Sequence, residues 1–200
     1  MVKFFENTHV FQHDFETVSF AYLNRYPNPF AKHVLSQDSL EAYVDKDGLL
    51  HTTKFIIKRG MLPSFMKPFL GNSLDSWIIE KTLINPRTQV MLTYTSNIDH
   101  RKFIRVEEYL TYNGIDDKTT QVKSKVKFSS NLIGFKRKIE EWSERRFARN
   151  IVNSRDGLRF VMQRLKEKSW GNLLMWTLYI YIWHMNNDCI ESGVEMNFYR

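Results

Sequence analysis

The chain changes its hydrophobic period once, and that change limits the folds open to it. Up to Ser129 apolar residues recur every second position in segment after segment. Trp77, Ile79 and Leu83 share one strand face; Val90, Leu92 and Tyr94 alternate with Met91, Thr93 and Thr95; Val122, Ser124, Val126 and Phe128 oppose Lys123, Lys125 and Lys127. From Gly134 onward Phe135, Ile139, Trp142, Phe147, Ile151, Leu158, Val161 and Leu165 are spaced mostly three and four apart over about thirty residues. Alternation describes half-buried strands, and the longer period describes one amphipathic helix, expected to bend near Gly157. A long helix with a single apolar stripe must lie along another layer. The expectation is therefore an α+β fold: a curved antiparallel sheet of about seven strands, a short N-terminal helix, and a long C-terminal helix that encloses a cavity against the sheet.

Local signals agree. The opening MVKFFENTHVFQHD mixes acidic and polar residues into its apolar run, so it reads as a first strand and no cleavable secretory signal is expected. Asp14 is placed to cap a helix over residues 15–24, with Val18 and Tyr22 on one face. Arg25-Tyr26-Pro27-Asn28-Pro29 ends that helix, because a proline drives the residue before it away from helical geometry. Asp45-Lys46-Asp47-Gly48 and Asn85-Pro86-Arg87-Thr88 mark hairpin turns, and further strands are expected over 102–112 and 120–129. With 200 residues the chain can build one sizeable core and one domain. The apolar run from Leu173 to Trp183 would extend about 16 Å as a helix, roughly half the hydrocarbon thickness of a bilayer, which disfavours a transmembrane span.

Between two expected strands, Gly60 and Gly71 bracket an insert in which Leu62, Phe65, Met66, Phe69 and Leu70 accompany Lys67 and two prolines. Hairpin loops are usually short and polar. This one suits a lid over an apolar cavity, an insert that dips into a membrane surface, or a short helix packed on the sheet. The net charge of +7 gives the sign of the partner, and nucleic acid, acidic lipid and acidic protein all satisfy it. Arg25, His33, Lys58 and Arg146 fall at the end of the first helix, the start of the second strand, the insert's hinge and the closing helix; converging inside, they would hold an anion.

No GxSxG elbow, phosphate-binding GxxxxGK[ST] loop or HExxH string occurs, so no enzyme is expected. Cys189 is the single cysteine, which leaves no internal disulfide; the scattered histidines suggest no metal site, and no cofactor is expected. Neighbours on a strand point to opposite faces, so Glu107-Glu108 and Glu140-Glu141 do not read as carboxylate dyads and are expected to solvate a face or meet a basic partner. Stacking on single-stranded nucleic acid is a weaker reading of the aromatic content, because most aromatics fall at core positions.

Several separate strings carry a resemblance: Arg25-Tyr-Pro-Asn-Pro-Phe-Ala-Lys-His-Val-Leu-Ser, Leu62-Pro-Ser-Phe-Met-Lys-Pro-Phe-Leu, Trp77-Ile-Ile-Glu, Asn97-Ile-Asp-His, Val106-Glu-Glu-Tyr, Val126-Lys-Phe-Ser-Ser and Glu141-Trp-Ser. Together they resemble the PRELI/MSF family of mitochondrial intermembrane-space phospholipid transfer proteins over residues 1–169, nearest the fungal branch that carries phosphatidic acid. The resemblance implies a START-like lipid pocket, carriage of phosphatidic acid from the outer to the inner mitochondrial membrane in support of cardiolipin synthesis, peripheral contact with anionic mitochondrial membranes, and a heterodimer with a small twin-CX9C protein. It implies headgroup contacts from Arg25, His33, Lys58 and Arg146, a lid formed by Leu62, Phe65, Met66, Lys67, Phe69 and Leu70, and no role for nucleic acid. Met61 and Asn153 stand where a relative has lysine, which implies a less charged headgroup site. A phosphatidylserine carrier, or an adaptor that binds anionic membranes without carrying lipid, are the alternatives. Residues 170–200 have no counterpart in the family domain; their three tryptophans, with Tyr179 and Tyr181, suit an interfacial helix or one that extends along the domain.

Overall fold

Period-two alternation builds the first layer. In the computed structural model, which describes residues 2–60, 75–131 and 134–169, seven strands form one antiparallel sheet: β1 (Val2–Phe11), β2 (Val34–Val44), β3 (Leu50–Arg59), β4 (Asp75–Asn85), β5 (Val90–Asn97), β6 (Ile104–Asp116) and β7 (Thr119–Ser130). Their spatial order is β1-β7-β6-β5-β4-β3-β2, so only the first strand lies out of sequence, closing beside the last. The α-helix α1 (Phe15–Leu23), a 3-10 turn over Pro29–Ala31 and the long helix α2 (Lys136–Ser169) form the second layer over one face of the curved sheet.

The elements start and stop for local reasons. The Asp14 carboxylate accepts the Thr17 backbone N–H at 2.7 Å and caps α1. Asn28 caps the 3-10 turn by accepting the Phe30 N–H at 2.9 Å. Gly157 of α2 lies directly beneath that turn: a Cβ there would stand 3.0 Å from the Asn28 side chain, so the absence of one admits the close approach. The helix runs without a break through Gly157.

Two apolar clusters anchor the layers. Phe11, Phe15, Val18, Tyr22, Tyr112 and Met162 belong to the larger, where α1 and the C-terminal half of α2 meet the sheet. Ile104, Phe128 and Ile139 form a smaller one under the start of α2.

At β4 the structure decides which face is covered. Trp77, Ile79 and Leu83 do share a face, but it is the uncovered one: Trp77 is 51% exposed and packs edge-on against Phe55 at 6.0 Å. The face under the helices carries Ile78, Glu80, Thr82 and Ile84, with Glu80 1% exposed. Alternation identifies two faces without saying which of them another layer will cover.

Met162 is completely buried in the larger cluster. Met162→Ala is expected to cost about 2–4 kcal/mol, read as a shift in the denaturant midpoint with an unchanged slope.

Candidate functional site

Between sheet and helices lies a cavity of about 260 Å³ whose wall draws on β1, β3, β4, β5, β6, β7, the segment between α1 and β2, and α2. Most of the wall is apolar, from Phe5, Val106, Leu110 and Val126 on the sheet to Phe147 and Leu158 on the helix. The four predicted basic residues, Arg25, His33, Lys58 and Arg146, all line this one cavity. Alternation along β3 puts Lys58 on the same face as Ile56 and Lys54, while His33 is pinned beside it by the Arg59 N–H, which donates to the His33 carbonyl at 2.7 Å.

The four differ in what they are free to do. Arg25 is 7% exposed and committed. Its guanidinium makes a two-pronged pair with Glu80, Nη1 donating to Oε1 at 3.1 Å and Nη2 to Oε2; Nη1 also donates to the Tyr22 carbonyl at 2.8 Å. It lies 3.9 Å from the centroid of the Tyr22 ring and 4.6 Å from that of Tyr26. The Tyr22 hydroxyl donates to Glu80 Oε2 at 2.9 Å. Burial pushes the Glu80 carboxyl up, but the Arg25 guanidinium and the Tyr22 hydroxyl together hold it below its ordinary range.

Lys58 and Arg146 are uncommitted. Among the described residues neither has a carboxylate or a hydrogen-bond acceptor; Lys58 Nζ stands 5.9 Å from the Tyr26 ring centroid and the Arg146 guanidinium 5.8 Å from that of Trp142. Half-burial, then the charges of Lys58 and Arg146, lower the pKa of His33 and favour its neutral imidazole. That arrangement suits a small, strongly charged anion with an apolar body, because the cations supply charge-assisted hydrogen bonds at one end of an otherwise greasy chamber.

Sequence reasoning missed the partners of these cations. Lys54, Glu80, Thr95 and Glu108 stand directly opposite one another on β3, β4, β5 and β6, a polar row across the covered face. Lys54 donates to the Leu23 carbonyl at 2.5 Å, tying the sheet to the end of α1. The available signal was a charged residue in an alternating strand on three of the four, Lys54, Glu80 and Glu108, with the polar Thr95 on the fourth. Glu107-Glu108 needs correction: neither solvates a face. Glu108 points into the cavity, and Glu107, 3% exposed on the opposite face, accepts from the Tyr94 hydroxyl at 3.0 Å and pairs with Arg105 and Lys127. Strand alternation separated the two as expected, but neighbouring strands supplied both environments. The predicted lid residues Leu62, Phe65, Met66, Lys67, Phe69 and Leu70 lie outside the described residues, as do residues 170–200. The strands on either side are described: Arg59 at the end of β3 pairs with Asp75 at the start of β4 at 2.8 Å, one residue beyond Lys58.

The sequence profile of the PRELI-like family matches residues 16–168. "Protein UPS1, mitochondrial" of Saccharomyces cerevisiae is 46% identical over 170 residues, covering 84% of this chain and 97% of that protein. The "Protein ups1 homolog" of Schizosaccharomyces pombe is 40% identical, covering 74% and 88%, and human "PRELI domain-containing protein 1, mitochondrial" is 29% identical, covering 88% and 83%. Among solved structures, the TTHA0849 protein of Thermus thermophilus superposes with a TM-score of 0.57 at 12% identity, over 82% of this chain and 99% of that one. The Zhui aromatase/cyclase of a Streptomyces species does so with 0.53 at 11% identity, over 84% and 96%. At that identity the two structures speak for the fold alone.

Removing one member of a buried ion pair leaves the other uncompensated. Glu80→Gln is expected to cost about 3–5 kcal/mol at neutral pH. Because the folded state depresses the Glu80 pKa, its contribution is present above the unfolded value of 4.5 and is lost as pH falls through the folded one. Urea unfolding should therefore show the gap between wild type and variant closing on the acid side.

Proposed function

The chain belongs to the PRELI-like family, and we propose that it carries phosphatidic acid from the outer to the inner mitochondrial membrane, in support of cardiolipin synthesis. Family membership, and the mitochondrial designation of its yeast and human relatives, support lipid transfer in the mitochondrion. The observation that carries the finer reading is the pairing of an apolar chamber with two uncommitted cations and a neutral histidine at one of its walls. Phosphatidic acid is the simplest phospholipid, a bare phosphate on a diacylglycerol. Lys58 and Arg146 would hold the phosphate, and its negative charge would draw a proton onto His33 as a third donor. Arg25 serves in this reading as a fixed part of the cavity floor, its guanidinium paired with Glu80 and flanked by Tyr22 and Tyr26.

Carriage moves a ligand without changing its bonds, so the wall needs to solvate the lipid rather than react with it. In the proposed cycle the protein works in the intermembrane space as a heterodimer with a small twin-CX9C protein and touches anionic membranes peripherally. Each Lys or Arg near such a surface contributes roughly 1 kcal/mol, enough in sum for a chain of net charge +7 to dock reversibly. Leu62, Phe65, Met66, Lys67, Phe69 and Leu70 form the lid in this reading. The insert leaves β3 and rejoins β4 within one residue of Lys58, at the end of the cavity where a headgroup would sit. Residues 1–169 are the carrier and 170–200 an extension of it.

Transfer of fluorescent lipids between vesicles, run with the twin-CX9C partner present, tests this. Phosphatidic acid should move much faster than phosphatidylcholine; equal rates would sink the reading. Lys58→Glu and Arg146→Glu should each slow phosphatidic acid transfer about tenfold or more, since a charge-assisted contact is replaced by repulsion, with unfolding midpoints near wild type. Deleting residues 62–70 should slow extraction from donor vesicles more than it lowers the unfolding midpoint.

A further inference from the structure

The polar row across the sheet leaves one acid without a partner. Glu108 stands on β6 opposite Thr95 of β5 and Val126 of β7, with Val106 and Leu110 flanking it on its own strand face. All of these line the cavity. Two strands away Glu80 is answered by Arg25 and Tyr22. Among the described residues the Glu108 carboxyl has neither a hydrogen bond nor an ion pair. A second orphan lies diagonally across β7: the Ser124 hydroxyl is buried in the same wall with no hydrogen-bond partner. Buried polar groups are nearly always satisfied, and leaving one bare costs free energy comparable to a lost hydrogen bond. A buried, unanswered hydroxyl beside a half-buried carboxyl that opens on the cavity points to a partner that arrives with the ligand.

The charges that face Glu108 come from each surrounding element. Arg25, in the segment after α1, and Lys58 on β3 attract its carboxylate, Glu80 on β4 repels it, and the Tyr112 hydroxyl lies beside it on β6. His9 on β1, His33 before β2, and Arg146 and Arg155 on α2 share the cavity at greater remove. Burial pushes the Glu108 carboxyl above its ordinary range and outweighs the pull of Lys58 and Arg25.

We propose that Glu108 is a specificity-determining residue of the cavity: as the protonated acid it donates its O–H to an acceptor oxygen of the bound anionic phospholipid, phosphate or glyceryl ester, and as the carboxylate it repels that ligand. The Ser124 hydroxyl supplies a second contact from the adjoining strand. This rests on the lipid-carrying reading above and adds a direction to it. The lipid keeps the proton on Glu108, so affinity is highest below the pKa of Glu108 in the empty protein, falls as pH rises, and levels off above the pKa in the complex. A headgroup that bears an ammonium would do the opposite, pairing with the carboxylate and binding better as pH rises.

Calorimetric titration of the full chain with soluble dihexanoyl phosphatidic acid, from about pH 5 to about pH 8, tests the assignment. His33, His9 and the ligand's own phosphate titrate alike in wild type and in Glu108→Gln, so the difference between the two curves isolates Glu108. The substituted amide is a donor that stays neutral at every pH. Wild type should therefore fall away from Glu108→Gln by about tenfold as pH rises, on top of the change the two share, and Glu108→Leu should bind about tenfold more weakly than wild type at the acid end. Unfolding midpoints establish that each variant is folded. Parallel curves for wild type and Glu108→Gln overturn the role of Glu108 and leave carriage standing, as would a wild type that gains on Glu108→Gln with rising pH. Failure of every folded variant to bind the probe at any pH overturns carriage of phosphatidic acid, and this assignment with it.

Discussion

A buried ion pair organises the cavity end of the molecule. Arg25 and Glu80, 7% and 1% exposed, come from the exit of α1 and the middle of β4. Neither could be buried alone, since an isolated charge in a low-dielectric interior costs far more than a domain's net stability allows. Together, with Tyr22 donating to the carboxylate and two aromatic rings flanking the guanidinium, they form a satisfied network that joins the helical layer to the sheet. Lys54, bonded to the last carbonyl of α1, adds a second tie a strand away. The position of Tyr26, and through it the ring under Lys58, follows from that junction.

The pair also divides the cavity's charges into two kinds. Arg25 is a fixed part of the wall, its positive charge spent on Glu80, whereas Lys58 and Arg146 reach the cavity without a carboxylate among the described residues. An anion entering the chamber therefore meets cations that no carboxylate holds in a hydrogen bond, with only the longer-range pull between Lys58 and the acids Glu80 and Glu108 to compete. On the far side of Thr95 the row ends in Glu108, an acid whose environment favours its neutral form. A chamber built this way keeps the charges of Lys58 and Arg146 for the phosphate, since, among the described residues, the one other acid on its wall is held toward its uncharged form.

Much of this was legible in the residue pattern. The strands, the cap at Asp14, the hairpin turns and the long helix follow from local chemistry that acts within a few residues. The convergence of Arg25, His33, Lys58 and Arg146 could be anticipated because the first three sit at the ends of a helix or strand that meet the expected cavity and the fourth on the helix that closes it. The covered face of β4 could not. Trp77, Ile79 and Leu83 make the more hydrophobic stripe, and a local reading buries it; the helices instead cover the stripe with Glu80. Apolar content predicts burial only where the buried surface has no other task, and here the covered face is also a binding wall.

The sequence by itself determined the elements, their order and the sign of the partner, since period, capping and net charge are properties of neighbours along the chain. Only the tertiary structure decided which cations are free. Arg25 and Lys58 look alike as residues, yet one is neutralised by a carboxylate fifty-five positions away and the other is not. Glu107 and Glu108 are adjacent, yet one is tied to Tyr94, Arg105 and Lys127 and the other is left facing the cavity. Strand register brings distant residues to within about 5 Å of one another, and at that range the identity of the neighbour outweighs the identity of the residue.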